Sequence, residues 1–184
     1  MASTCFARDK RALELPLKQQ KKIIMKYKNN PANIRYVPSN LWKGLEGSVN
    51  GFCEFSSIEY GLRALMVLLK NYIKKYHLTN VSQILHRFAP PVENNTRAYI
   101  SFVSTVLLRH DCETTNIKPF SLAFYWLAVS ICYYETKSSF EINELIRIAK
   151  KFGLWSDCIA SVNKQLVINF KNDDYEQESL EDID

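Results

Sequence analysis

One stretch constrains this chain more than any other. Residues 122–134 read Leu-Ala-Phe-Tyr-Trp-Leu-Ala-Val-Ser-Ile-Cys-Tyr-Tyr, apolar on nearly every side. Thirteen residues fall short of the ~20 needed to cross a bilayer as a helix. A helix that is apolar all round and does not span a membrane has to sit in the middle of a protein core. Pro119 and Ser121 precede the run and suit a helix N-terminus. The rest of the fold must therefore supply helices that wrap this one.

The flanking sequence supplies them. Ser56-Ser57-Ile58-Glu59 has the pattern of a capping box, and Tyr60, Leu62, Leu65, Leu68, Leu69, Tyr72 and Ile73 then recur at helical spacing to about Tyr76. A second helix runs from Thr79 through Val81, Ile84, Leu85 and Phe88 and stops at Ala89-Pro90-Pro91. Asn94 or Asn95 caps a third, with Tyr99, Phe102, Val103, Val106 and Leu107 on its apolar side. Ser138-Ser139-Phe140-Glu141 repeats the capping-box pattern and opens a fifth helix, which Gly153 closes. Residues 29–55 hold most of the Pro and Gly punctuation. There, Ile34-Arg35-Tyr36-Val37 and Phe52-Cys53-Glu54-Phe55 read as two short strands of a small hairpin. The expected fold class is mainly α (α+β), with about five helices and one β-hairpin. With 184 residues, one domain with tails is expected: a basic arm over residues 1–28, a helical body over 29–155, and a C-terminal segment over 156–184.

Charge is distributed unevenly. The chain has 24 Lys and Arg against 19 Asp and Glu, but residues 173–184 hold seven of those acids and no base. The remainder carries 24 bases against 12 acids, about +12, and suits a polyanionic partner. The basic stretch from Lys18, with Ile23, Ile24 and Tyr27, is expected to form a short helix. The five cysteines are scattered and include no Cys-x-x-Cys pair, which argues for free thiols in a reducing compartment and against a zinc ribbon. No secretory signal is legible. His77, His86 and His110 do not have metal-ligand spacing, and no phosphate-cradling glycine loop or Gly-x-Ser-x-Gly elbow occurs. No metal or cofactor is expected. Lys70, Lys74 and Lys75, beside Tyr72 and Tyr76, read as the solvated side of a helix rather than as a nucleic-acid surface.

Glu135 is the main candidate for chemistry. It follows Tyr133-Tyr134 at the end of the apolar helix, where the macrodipole is negative. That position and the aromatic neighbours both disfavour the anion and raise the pKa, which is what a general acid for glycosidic bond cleavage requires. An exposed glutamate at a frayed helix end, paired with Lys137, is the plainer reading. Glu59 and Glu141 are accounted for by their capping boxes. Glu93 sits in a loop stiffened by Pro90-Pro91, either as a helix N-terminal acid or as part of a polar wall. The run Asn29-Asn30-Pro31-Ala32-Asn33-Ile34-Arg35 explains itself as a turn, and its amides also suit sugar hydroxyls and N-acetyl groups. Trp42 reads as a sugar-stacking platform or as a plug over the core.

In this order, the Asn-Asn-Pro turn, Trp42-Lys43-Gly44, Gly51-Phe52-Cys53-Glu54-Phe55, Glu59-Tyr60-Gly61-Leu62-Arg63-Ala64 and Ala89-Pro90-Pro91-Val92-Glu93-Asn94-Asn95-Thr96 resemble a phage and prophage family of "structural proteins". The likeness covers roughly residues 29–155. The helix-end glutamate is similar to that of lysozyme-like lytic enzymes, and the Asn-Asn-Pro turn is similar to part of the cell-wall glucosaminidases. Ala32 stands where the family usually has glycine, Thr136-Lys137 depart from its pattern, and Glu135 follows the turn rather than preceding it, so a lysozyme-like site would need a permuted order.

The resemblance implies a lysozyme-like fold and an enzyme that degrades peptidoglycan glycan strands, either a lytic transglycosylase or a muramidase- or glucosaminidase-like hydrolase. Glu135 would be the acid. Asn30, Asn33, Arg35 and Trp42 would line the groove with Glu93, Asn94 and Tyr99. The implied place is a virion or the host cytoplasm, with action on the cell wall. The alternative is a non-enzymatic virion or injection-apparatus component that binds glycan or other virion proteins.

Overall fold

The computed structural model of the protein describes residues 26–154. The C-terminal segment and nearly all of the basic arm, with its expected helix, lie outside the described residues. The chain forms two strands and then five helices: β1 (Leu45–Val49), β2 (Phe52–Phe55), α1 (Ile58–Tyr76), α2 (Val81–Phe88), α3 (Thr96–Arg109), α4 (Leu122–Thr136) and α5 (Ile142–Lys151). This is the expected class, mainly helical with one antiparallel hairpin. None of the described helices is long and apolar enough to cross a membrane.

The apolar run becomes α4 and occupies the centre. Phe124, Leu127, Ala128, Ile131 and Cys132 are fully buried, and the helix packs against α3, α5 and α1. The Ser121 hydroxyl caps it by accepting from the Phe124 amide. The Asn95 and Asn80 side chains cap α3 and α2 in the same way. The apolar faces of α1, α2, α3 and α5 close around α4 with Leu62, Leu65, Leu69, Ile84, Leu85, Val103, Leu107, Leu145 and Ile148. Burial of these side chains, each contributing roughly 1.5–3 kcal/mol, drives the assembly.

Three local expectations are corrected. The hairpin partner of β2 is β1, not residues 34–37. Leu45 pairs with Phe55 and Val49 with Phe52 across the Asn50-Gly51 turn, where φ is +50° and +80°. Asn-Gly is the favoured pair for such a two-residue turn, because both positions need positive φ. The 34–37 segment does meet β2, on its other edge, but only as a bridge from Arg35 to Phe52.

Neither capping box forms. Ser57 and Glu141 occupy the N-cap positions without a side-chain cap. Glu59 turns instead to α5, accepting from Arg147 (3.1 Å) and from Lys151. Ser138 is buried against the Thr136 hydroxyl at 2.7 Å, so the α4–α5 link uses its polar groups on itself.

Candidate active site

The turn at residues 29–34 is the anchor of the site. Asn29 and Asn33 take positive φ, +55° and +46°, a region that asparagine tolerates better than other non-glycine residues. The Asn30 side chain is fully buried and fully used: its amide donates to the carbonyls of Ile34 (3.0 Å) and Cys53 (2.9 Å), and its oxygen accepts from the Ile34 amide (2.8 Å). Asn29 donates to the Phe55 carbonyl at 2.8 Å. The turn is thereby fastened to β2.

On its other side the turn rests on α1. A methyl group at Gly61 would stand 2.0 Å from the Asn29 carbonyl oxygen, so only glycine admits this approach. Gly44, with φ +72°, is required in the same sense: a Cβ there would meet the Tyr60 ring at 2.2 Å.

The fastened turn meets the C-terminus of α4. The Thr136 hydroxyl donates to the Pro31 carbonyl at 3.0 Å, and the Asn33 amide donates to Glu135 Oε2 at 2.9 Å. Glu135 is half-buried and makes no ion pair among the described residues. Tyr99 lies almost wholly buried behind it, with its ring stacked on Tyr134 at 3.7 Å. Burial pushes the Glu135 carboxyl above the ordinary carboxylate range. Hydrogen bonds from Asn33 and Tyr99 and the charges of Arg35 and Lys137 pull in the opposite direction without cancelling the rise. The Tyr99 phenol is raised in turn, by burial first and then by the carboxyl beside it.

Glu135 opens onto a cavity of about 590 Å³, within the roughly 300–1,000 Å³ usual for small-ligand sites. Asn33, Arg35, Trp42, Glu93 and Asn94 line it together with Glu135. The structure thus brings six of the eight candidate residues to one cavity. Asn30 and Tyr99 are not among its lining residues: one braces the turn, the other backs the acid. Glu93 forms an ion pair with Arg35, so the proline-braced loop and the Asn-Asn-Pro turn are tied to each other at the cavity wall. Trp42 is half-buried, and its indole nitrogen is enclosed without a hydrogen-bond partner among the described residues.

The same cavity is lined by residues that the sequence reading set aside or did not consider. Tyr72, Lys75 and Tyr76 come from the end of α1, and Arg87 comes from the end of α2. The signal available was the cluster of Lys and Tyr at the end of α1, read there as a solvated face. Nothing local marks Arg87 or Asn71 as a partner of that cluster.

Cysteine chemistry does not suit the described thiols. Burial pushes Cys53 and Cys112 up to about 11 and Cys132 further still, so all three stay protonated at neutral pH. Among the described residues no group of three or more His, Cys, Asp or Glu is placed to hold a metal ion. His110 instead stacks on Trp126 at 3.5 Å.

Among the described residues the fold and cavity define a mainly helical body with one half-buried carboxyl, Glu135, in the wall of a polar and aromatic cleft. No protein-family model matches the chain. A stretch of 81 residues is 37% identical to Protein P5 of Pseudoalteromonas phage PM2, covering 41% of this chain and 50% of that protein. The match thus spans about half the length of the curated relative. The chain is similar to a phage protein, in keeping with the phage side of the motif resemblance. The lysozyme-like side draws no support from this match.

Proposed function

We propose that the protein is a phage-type enzyme that cleaves the glycan strand of a bacterial cell wall, with Glu135 as its general acid. The observation that carries this reading is a carboxyl held toward its protonated form at the edge of a ligand-sized cavity, by burial at the end of α4. A carboxyl raised above the ordinary carboxylate range holds a proton more readily and can donate it to a glycosidic oxygen as the C–O bond breaks. Asn33 suits both states of this acid. Its amide group donates to the carboxylate as placed, and its side-chain oxygen, buried without a partner among the described residues, is an acceptor for the carboxyl proton once the amide turns over.

The second carboxylate in the cavity, Glu93, is occupied by Arg35. That favours the lytic route over a two-carboxylate hydrolysis. In the lytic route Glu135 gives its proton to the leaving oxygen. A hydroxyl of the same sugar then attacks the anomeric carbon, and its proton returns to Glu135. The glycosidic bond is replaced by an internal ether, with no water consumed. Asn33, Arg35, Trp42, Glu93 and Asn94 would bind the strand, Tyr99 would hold the acid in place, and Asn30 would hold the turn.

The test is the release of soluble fragments from purified peptidoglycan by the wild type and Glu135→Gln, read by mass spectrometry. Anhydro-sugar ends that disappear in the variant establish the lytic reaction. Hydrated reducing ends indicate a hydrolase. No release from several wall types by folded protein would sink the enzymatic reading. The second reading is then a virion component that binds glycan or other virion proteins without cleaving them, favoured by the likeness to a phage protein.

A further inference from the structure

The cations that line this cleft are Arg35, Lys75 and Arg87, and they are not treated alike. Arg35 is paired with Glu93. In the cavity wall, the last turns of α1 and α2 bring Lys75 and Arg87 to the Tyr76 ring. The Arg87 guanidinium lies 3.8 Å from the Tyr76 ring centroid and 5.3 Å from that of Tyr72. The Lys75 ammonium lies 5.6 Å from the same Tyr76 ring. Neither cation has a carboxylate partner among the described residues. Two like charges are thus gathered on one ring in a cavity wall, a repulsive arrangement that an anion would relieve. An arginine can read a carboxylate in two hydrogen bonds, and a lysine adds a point charge.

We infer that Arg87 and Lys75, mounted on Tyr76 and Tyr72, form a carboxylate subsite that selects an acidic glycan over a neutral one. The inference rests on the glycan reading of the cleft and adds which sugar chemistry is chosen: a strand whose units carry a carboxylate, either an ether-linked acid on the sugar itself or the acids of an attached peptide. Glu135 on α4 and Arg87 on α2 line the same cavity, so one strand can meet both. The Tyr76 ring, 42% exposed, offers its remaining surface to a sugar face.

The experiment is titration calorimetry on full-length Glu135→Gln, which binds without turnover, at 0.15 M salt. Three probes are compared at equal length: an N-acetylglucosamine oligomer, a peptide-free peptidoglycan strand with free sugar carboxylates, and a strand whose sugar carboxylates are consumed by peptide stems. At least one acidic strand is expected to bind about tenfold or more tightly than the neutral oligomer. Adding Arg87→Ala should abolish that preference, while Arg87→Lys should keep part of it and raised salt should weaken it. Which acidic strand is preferred tells the sugar acid from the peptide acid. Equal binding of all three probes overturns the subsite and leaves the glycan cleft standing, as does a preference that survives Arg87→Ala. Binding of none of them overturns both. A preference that depends on Arg87, in a protein whose wild type releases no wall fragments, keeps the subsite and sinks the catalysis. Arg87 is exposed, so its variants are expected to fold, checked by an unchanged melting curve.

Discussion

Two parts of the cleft wall, one around Glu135 and one around Tyr76, are built on opposite principles. Around Glu135 the side chains are enclosed, stacked and hydrogen-bonded. Asn33, Tyr99 and Thr136 are fixed by partners from the turn, α3 and α4, and the single carboxyl is pushed toward its neutral form. Around Tyr76 the cations are exposed, sit at helix C-termini where the dipole welcomes them, and rest on aromatic rings. Burial raises the carboxyl pKa in one place, and exposure preserves charge in the other. A cleft that must both donate a proton and hold an anion is served by this difference, because a desolvated arginine beside the acid would drive the proton off.

The largest expected effect breaks the buried part outright. Glu135→Gln is expected to lower strand cleavage by about 10²–10⁴-fold, the range for loss of a general acid, while the binding preference set around Tyr76 stays. The same variant carries a stability signature. Because the folded state raises the Glu135 pKa, it binds the proton more tightly than the unfolded chain. Wild-type stability from this group is therefore complete below the unfolded pKa and is lost as pH rises through the folded one. Glu135→Gln removes that loss, so its melting temperature relative to wild type should rise between pH 4 and pH 8. A flat difference would refute a raised pKa.

Next in size is the contact that holds the turn on α1. Gly61→Ala forces a methyl into the Asn29 carbonyl and is expected to cost about 1–3 kcal/mol, read by urea unfolding. Cleavage should fall with it, since the turn positions Asn33, whereas Arg87-dependent binding should be affected less. A finer test leaves the backbone alone. Asn33→Asp tolerates the positive φ but sets a second carboxyl against Glu135. The pair is expected to titrate with one apparent pKa moved further up, followed by carboxyl ¹³C shifts. The smallest effect is expected from Glu93→Gln. Its ion pair with Arg35 is exposed, so loss of less than about 1 kcal/mol is anticipated, with the freed Arg35 charge drawing the Glu135 pKa down.

Where the sequence was legible, the reason was local. Four of the five helices were placed within about two residues, because apolar side chains three and four apart and a capping Ser or Asn act within a single turn. The fifth began later than its Ser138 signal suggested, as the capping-box pattern at both Ser56 and Ser138 proved to be a coincidence of spacing. Glu59 illustrates why: two cations on α5, 88 and 92 residues away, outcompeted its own helix end. The hairpin was misassigned because Ile34-Arg35-Tyr36-Val37 is a good strand sequence, whereas Leu45–Val49 carries Gly47 and a register irregularity. The Asn50-Gly51 signal was present and decisive.

The sequence by itself determined the helical class, the central place of α4, and the fact that a carboxyl ends that helix beside two tyrosines. Those properties follow from periodicity and from burial of apolar area, which act on neighbouring residues. Only the tertiary structure decided that Asn33 reaches Glu135 across 102 positions, that Asn30 braces the turn instead of lining the cavity, and that Lys75 and Arg87 meet on one tyrosine. Such meetings depend on how helix faces pack and where their ends converge, and no local pattern of residue types encodes that geometry.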